Sequence, residues 1–325
     1  MEGKKERIAY FDNLRAILIF LVVFGHFCEI SMPYSDHAKV VRYVIYVFHM
    51  PLFVFVSGLF NRNNDTKRCV SRAFGFYAIY VMMKIVSLAC RGILNKDFVF
   101  SLFSEGGIPW FMFALGTWTI ISYLTRRIRR LPLLAASILL SLVAGYDSSI
   151  GMVMTASRIM VFWPFFLLGE CIDREKIVRY ASKKHLKVLG VAFFMVLSGV
   201  VVLAFDKILF AKPMLSGQNA YVSMGQEHLS HAFLVRLLVY VGALVFSVSV
   251  MLLTPVRKLP FSYIGQRTLI IYFLNLPMYY ISAKYFPDLA VWQYFLISLV
   301  EVYVTGIGRL NELLSGLTNC LSSPS

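Results

Sequence analysis

"LRAILIFLVVFGHF", residues 14–27, is apolar enough to sit in lipid, yet an arginine stands at its second position and a histidine just before its end. Ionisable side chains inside a membrane span are costly and rare, and they face a bundle interior or a water-filled cavity. Arg15 and His26 lie eleven positions apart, about three helical turns and roughly 16 Å of rise, which returns them to nearly the same helix face. The stretch therefore reads as a membrane helix that turns two polar groups into one cavity.

The rest of the chain supports a membrane setting. Its 325 residues are 58% hydrophobic and 15% charged, with a mean hydropathy of +0.70. Soluble domains carry about a quarter charged residues, so an ordinary soluble domain is excluded and an all-α polytopic bundle is expected. A net charge of +15 would suit a nucleic-acid binder. The basic residues, however, fall in short clusters between apolar runs, as the positive-inside bias requires, and no nucleic-acid partner is expected. Cys28, Cys69, Cys90, Cys171 and Cys320 are scattered without a C-x-x-C pair, so neither a disulfide framework nor a zinc site is indicated. The opening "MEGKKER" resembles a signal-peptide n-region, but no small-x-small cleavage site follows. The run is read as an uncleaved first span.

A window of about 20 residues places spans near 10–30, 43–60, 73–92, 109–125, 133–147, 158–173, 188–205, 236–254, 269–285 and 291–308. That is about ten helices. Basic clusters alternate between loops: Lys4, Lys5 and Arg7; Arg62, Lys67, Arg68 and Arg72; "RRIRR" at 126–130; the run from Arg174 to Lys187; and Arg257, Lys258 and Arg267. The side they share is the cytoplasm, which puts both termini there. Residues 1–310 are expected to form one membrane domain and 311–325 a short cytoplasmic tail. The longest external segment, Asp206 to Val235, is too short for a domain but long enough to cap a cavity mouth.

Several polar residues stand out. Asp12 can pair with Arg15 at i,i+3, and Glu29 stands three residues after His26, where it can orient or charge the imidazole. In "FHMPLFVFVSG", His49 precedes Pro51, whose missing N–H leaves a backbone carbonyl to be satisfied by a neighbour or a cavity. Arg158 opens the sixth span, and Trp110 and Trp163 are placed to stack on a sugar or to form an interfacial belt. Glu227, His228 and His231 sit together in the external segment as loosely placed ligand types, too few for a convincing centre, and no metal is expected.

"YFDNLRAILIFLVVFGHF", "FHMPLFVFVSGLF", "IPWFMFALGTW", "SRIMVFWPFFLLG" and "YIGQRTLIIYFLN" follow one another from about residue 8 to residue 280. In that order they resemble the integral-membrane acyltransferase-3 family, in particular its fucose 4-O-acetylase-like branch. The resemblance implies transfer of an acyl group, usually acetyl, from cytoplasmic acyl-CoA to a sugar hydroxyl of an envelope or secreted glycan. It also makes Arg15 and His26 a match to the family's R-x(10)-H signature. Two positions depart from the family pattern. An R-x-x-R pair is replaced by Arg68 and Arg72 at i,i+4, and the histidine that closes "IYxLH" is replaced by Asn275. Asparagine hydrogen-bonds but is no base at neutral pH.

The expected chemistry assigns His26 as general base for the incoming hydroxyl, Glu29 to its tautomer, and His49 to the same polar pocket. Arg15, Arg68 and Arg72 are expected to meet the phosphates of acetyl-CoA, Arg15 also to take a catalytic part by lining the path of the pantetheine arm or countering developing charge, and Arg158, Trp110 and Asn275 to meet the carbohydrate acceptor. The expected setting is the inner or plasma membrane, with acetyl-CoA, a glycan and the lipid bilayer as partners. The competing expectation is a transporter or flippase for a glycan or lipid-linked sugar, since intramembrane charge also marks substrate pathways.

Overall fold

The computed structural model describes residues 8–61, 65–93, 107–151 and 153–307. Every helix and strand element among them is helical: α1 Ala9–Ser31, α2 Asp36–Leu59, α3 Thr66–Ile93, α4 Trp110–Leu124, α5 Arg130–Ala144, α6 Ala156–Cys171, α7 Arg174–Ala181, α8 Lys184–Leu203, α9 Phe205–Ile208, α10 Lys212–Leu215, α11 Ala232–Leu253, α12 Thr268–Tyr285 and α13 Val291–Ile307. One helix of fifteen or more residues occupies each of the windows read from hydropathy. α1, α2, α3, α8 and α11 are long and apolar enough to cross a membrane on length and composition alone. α7 is a short helix inside a stretch that reads from sequence as a basic loop; Asp173 caps it by accepting from the Glu175 N–H at 3.0 Å. The tail 311–325 and Lys4, Lys5, Arg7, Arg62 and Cys320 lie outside the described residues.

α1 is buried around most of its circumference by α2, α12, α13 and the turn at Ile264–Gln266. A helix apolar on all sides belongs in a core, and α1 carries the residues that read as functional. Its first turn is pinned by the "YIGQR" stretch. The Asn13 amide donates to the carbonyls of Pro255 and Arg257, both at 2.8 Å, while Ser262 donates to Asn13 at 2.5 Å and Gln266 to Asp12 at 2.9 Å. Gly265 makes this approach possible, since a Cβ there would fall 1.8 Å from the Asp12 carbonyl oxygen.

α2 and α6 cross at two glycines. A Cβ on Gly58 would lie 2.1 Å from the Phe166 carbonyl oxygen, and one on Gly169 2.2 Å from that of Phe55. Small residues at a crossing let helix backbones meet in lipid, where packing rather than water exclusion drives association. Beside the crossing, Glu170 takes hydrogen bonds from Asn61 at 3.0 Å and from Ser122, and an ion pair from Arg130 at 3.1 Å, tying the ends of α2, α4, α5 and α6 together. α8, by contrast, buries little of its surface and presents a valine- and leucine-rich face outward.

The segment between α8 and α11 folds into short helical turns, including α9 and α10, that lie back over the bundle. Tyr221 fastens them to the end of α5: its N–H donates to the Gly145 carbonyl at 2.7 Å and its hydroxyl to that of Leu142 at 2.9 Å. The wholly buried Arg236 adds a hydrogen bond to the Ser141 carbonyl at 3.1 Å and lies over the Tyr221 ring.

Candidate functional site

A cavity of about 400 Å³ opens among α1, α2, α6, α12 and the cap. His26 and Glu29 from α1 and Tyr46 and His49 from α2 line one side of it, and Arg158 and Trp110 another. Leu215, Ser216, Gln218 and Asn219 bring the cap into its wall. Arg158, at the start of α6, is buried, and it holds this roof. Its guanidinium donates to Gln218 Oε1 at 2.6 Å and to the Ser216 carbonyl at 3.3 Å, and it lies 4.9 Å over the Trp110 ring. Trp110 is also stacked on Phe162, with ring centroids 5.5 Å apart. The indole is thus engaged by protein as well as lining the cavity.

His26 Nδ1 lies 2.6 Å from Asn275 Oδ1, and the Asn275 amide nitrogen donates to Glu301 Oε1 at 3.2 Å. This corrects the assignment of Glu29 to the imidazole. Glu29 turns toward α2 instead, where Arg42 Nη2 meets its carboxylate at 2.9 Å and the Tyr46 hydroxyl donates to it at 3.3 Å. A charge-assisted bond to a guanidinium is stronger than one to a neutral ring. The Arg42 guanidinium also stacks 3.8 Å over Tyr46. His49 donates from Nδ1 to the Ile45 carbonyl one turn back at 2.8 Å; a carbonyl only accepts, so its Nε2 carries the lone pair. In α10, burial pulls the Lys212 ammonium below the ordinary lysine range, with Arg42 and Lys39 adding to the effect and Glu29 opposing it.

A second cavity of about 220 Å³ lies toward the start of α1. Arg15, Arg72, Phe60 and Ser57 line it, and Val22, Met50 and Tyr272 line both cavities, so the two meet end to end at that wall. The Tyr272 hydroxyl is tied to the Ile108 carbonyl. Arg15 lies 4.2 Å over the Phe60 ring and 3.9 Å from Asp12, and Arg72 donates to the Phe60 carbonyl at 3.3 Å. Arg174, from α7, lies 5.0 Å over the same ring. Arg68 does not join them. It sits in the first turn of α3 with a largely exposed side chain, 3.7 Å from Asp65.

Arg42, Glu301, Tyr272 and Arg174 are the residues that sequence reasoning missed. For Arg42 and Glu301 the signal was present, since both are ionisable groups in apolar helices and fall under the argument that singled out Arg15. Tyr272 and Arg174 gave none, because a tyrosine in an apolar helix and an arginine in a basic loop are ordinary. In the cap, His228 Nδ1 lies 3.3 Å from His231 Nε2, and Phe210 stacks on His228. No group of three or more possible metal ligands occurs among the described residues.

Two cavities that meet about one helical turn from a half-buried histidine, one of them lined by arginines, suit a transfer reaction. Sequence comparison decides the family: residues 8–308 match the acyltransferase-3 family, described as an acyltransferase domain. The chain belongs to that family. The match covers nearly the whole chain. Nodulation protein NolL of Sinorhizobium fredii is 26% identical over 188 residues, which is 51% of this chain and 49% of that protein. The chain thus spans about half the length of that curated relative. No solved structure matches.

Proposed function

We propose that this acyltransferase moves an acetyl group from cytoplasmic acetyl-CoA to a sugar hydroxyl of an envelope or secreted polysaccharide. On this reading it lies in the inner or plasma membrane with ten spans and both termini in the cytoplasm. The observation that carries the reading is the pair of chambers that meet at Val22, Met50 and Tyr272. Arg15 and Arg72, with Arg174 beside them, suit the phosphates of the donor at the cytoplasmic end. The pantetheine arm is long and thin, and the roughly 16 Å between Arg15 and His26 along α1 is of the order that such an arm spans.

His26 then removes the proton of the acceptor hydroxyl as its oxygen attacks the thioester carbonyl. The carbon–sulfur bond breaks, and the imidazolium returns the proton to the departing thiolate, so no proton is gained or lost. General-base assistance of this kind is worth about 10²–10⁴ in rate. His49 and Tyr46 border the same space, where their polar atoms can hold the acceptor. Glu29 and Arg42 neutralise each other at the wall.

The test is the acetyl-ester content of surface glycan in a deletion strain complemented with the wild type, His26→Ala or Arg15→Ala, with membrane levels matched. Restoration by the wild type alone supports the assignment, and the acetylated sugar's chemical shift names the acceptor. Full restoration by His26→Ala overturns it. Glycan movement without dependence on acetyl-CoA would favour transport instead.

A further inference from the structure

We propose that Asn275 and Glu301 are positioning residues that set the tautomer of His26. The inference rests on the reading of His26 as base and explains how one particular nitrogen becomes basic. Glu301 stands on α13 and is 4% exposed; Asn275, on α12, is fully buried between it and His26. The Asn275 amide nitrogen donates to Glu301 Oε1, which turns the amide oxygen to His26. An amide oxygen only accepts, so His26 must carry its proton on Nδ1. The Nε2 lone pair is left for the cavity, as a base requires. Three side chains on three helices thus pass one constraint from a buried carboxylate to the reacting nitrogen.

Two observations argue against a merely structural role. Glu301 Oε2 is buried without a hydrogen-bond partner among the described residues, a costly state that packing alone does not explain. The charged and titratable groups that face His26 are Glu29 on α1, Arg42 and His49 on α2, Arg158 on α6, and Tyr279 on α12, whose ring centroid lies 6.3 Å from that of the imidazole. Glu29 is occupied by Arg42, and His49 by the Ile45 carbonyl. The contact on Nδ1 is that of Asn275.

The experiment follows transfer of radiolabelled acetyl from acetyl-CoA to the glycan of membrane vesicles from the deletion strain, from pH of about 5 to about 9, a range that brackets imidazole titration. Asn275→Leu and Glu301→Leu are expected to lose about 10–100-fold in saturating rate, the usual scale for residues that orient a reacting group, with the KM for acetyl-CoA within about two-fold. Glu301→Gln, whose carbonyl still accepts from Asn275, regains much of the rate. Asn275→Asp keeps measurable activity and moves the acid limb of the rate profile to higher pH, because a carboxylate on Nδ1–H favours the imidazolium. A packing role would lower all four variants with protein level and leave the limb in place.

Wild-type rate and profile in Asn275→Leu, or an unmoved limb in Asn275→Asp, overturns the proposal. His26→Ala in the same assay separates the two levels. If it is inactive while Asn275→Leu is fully active, only the positioning role falls. If it is active, the base assignment falls and takes the positioning role with it.

Discussion

At the scale of single residues, the decisive contacts join side chains distant in sequence. Arg42 is held by Glu29 at 2.9 Å and by the face of Tyr46 at 3.8 Å. Replacing it with alanine removes an ion pair and a cation–π contact and leaves a carboxylate at the cavity wall. The expected cost is about 1–2 kcal/mol, to be read as a lower Tm in detergent. Arg42→Lys should recover only part of this, because an ammonium lacks the planar stacking surface of a guanidinium. Reading ionisable residues as misfits in lipid was enough to single out Arg15, His26 and His49. It stopped short at Arg42, which stands one position before the window taken as the second span. Asn275 was noticed for departing from a family pattern, but its partners lie 249 residues before it and 26 after it, separations at which hydropathy and local spacing say nothing.

At the scale of helices, hydropathy located each long element, because lipid exposure imposes a minimum apolar length, though it set the starts of α2 and α3 seven residues late. It missed α7, which is too short and basic to give that signal. The α2–α6 crossing yields a sharp contrast between glycines. Gly58→Ala places a methyl carbon 2.1 Å from a carbonyl oxygen that belongs to a packed helix backbone. We expect a large loss of monodisperse protein and of thermal stability. Gly75→Ala, in α3, meets nothing within 4 Å and should be neutral or raise stability by up to about 1 kcal/mol through helix propensity. A thermal shift assay on the two variants and the wild type checks both. No feature of the sequence distinguishes these two glycines, since the difference depends on which backbone lies opposite.

At the scale of the whole molecule, the spacing of Arg15 and His26 made a shared pore an expectation; the division of that pore into two chambers was not legible. The shared wall predicts that Met50→Trp closes the passage. Acetyl transfer should fall at least about 100-fold while binding of CoA itself, measured by calorimetry in detergent, stays within a few-fold of the wild type. The proposed topology has its own test. In a background without the native cysteines, Tyr180→Cys and Val222→Cys, both at exposed positions, should react with an impermeant maleimide from opposite sides of the membrane. Labelling of both from one side would overturn the alternation of loops.

The wall also bears on the electrical integrity of the cell. A water-filled path through a bilayer is a leak, and a membrane that stores an electrochemical gradient tolerates very few. Val22 and Met50 present only apolar surface at the junction, and the Tyr272 hydroxyl is already bonded to a carbonyl. Apolar constrictions of this kind exclude water by dewetting. On the proposed function the wall is insulation: the donor's thin arm parts it and is gripped on all sides, while ions on either side meet a dry barrier.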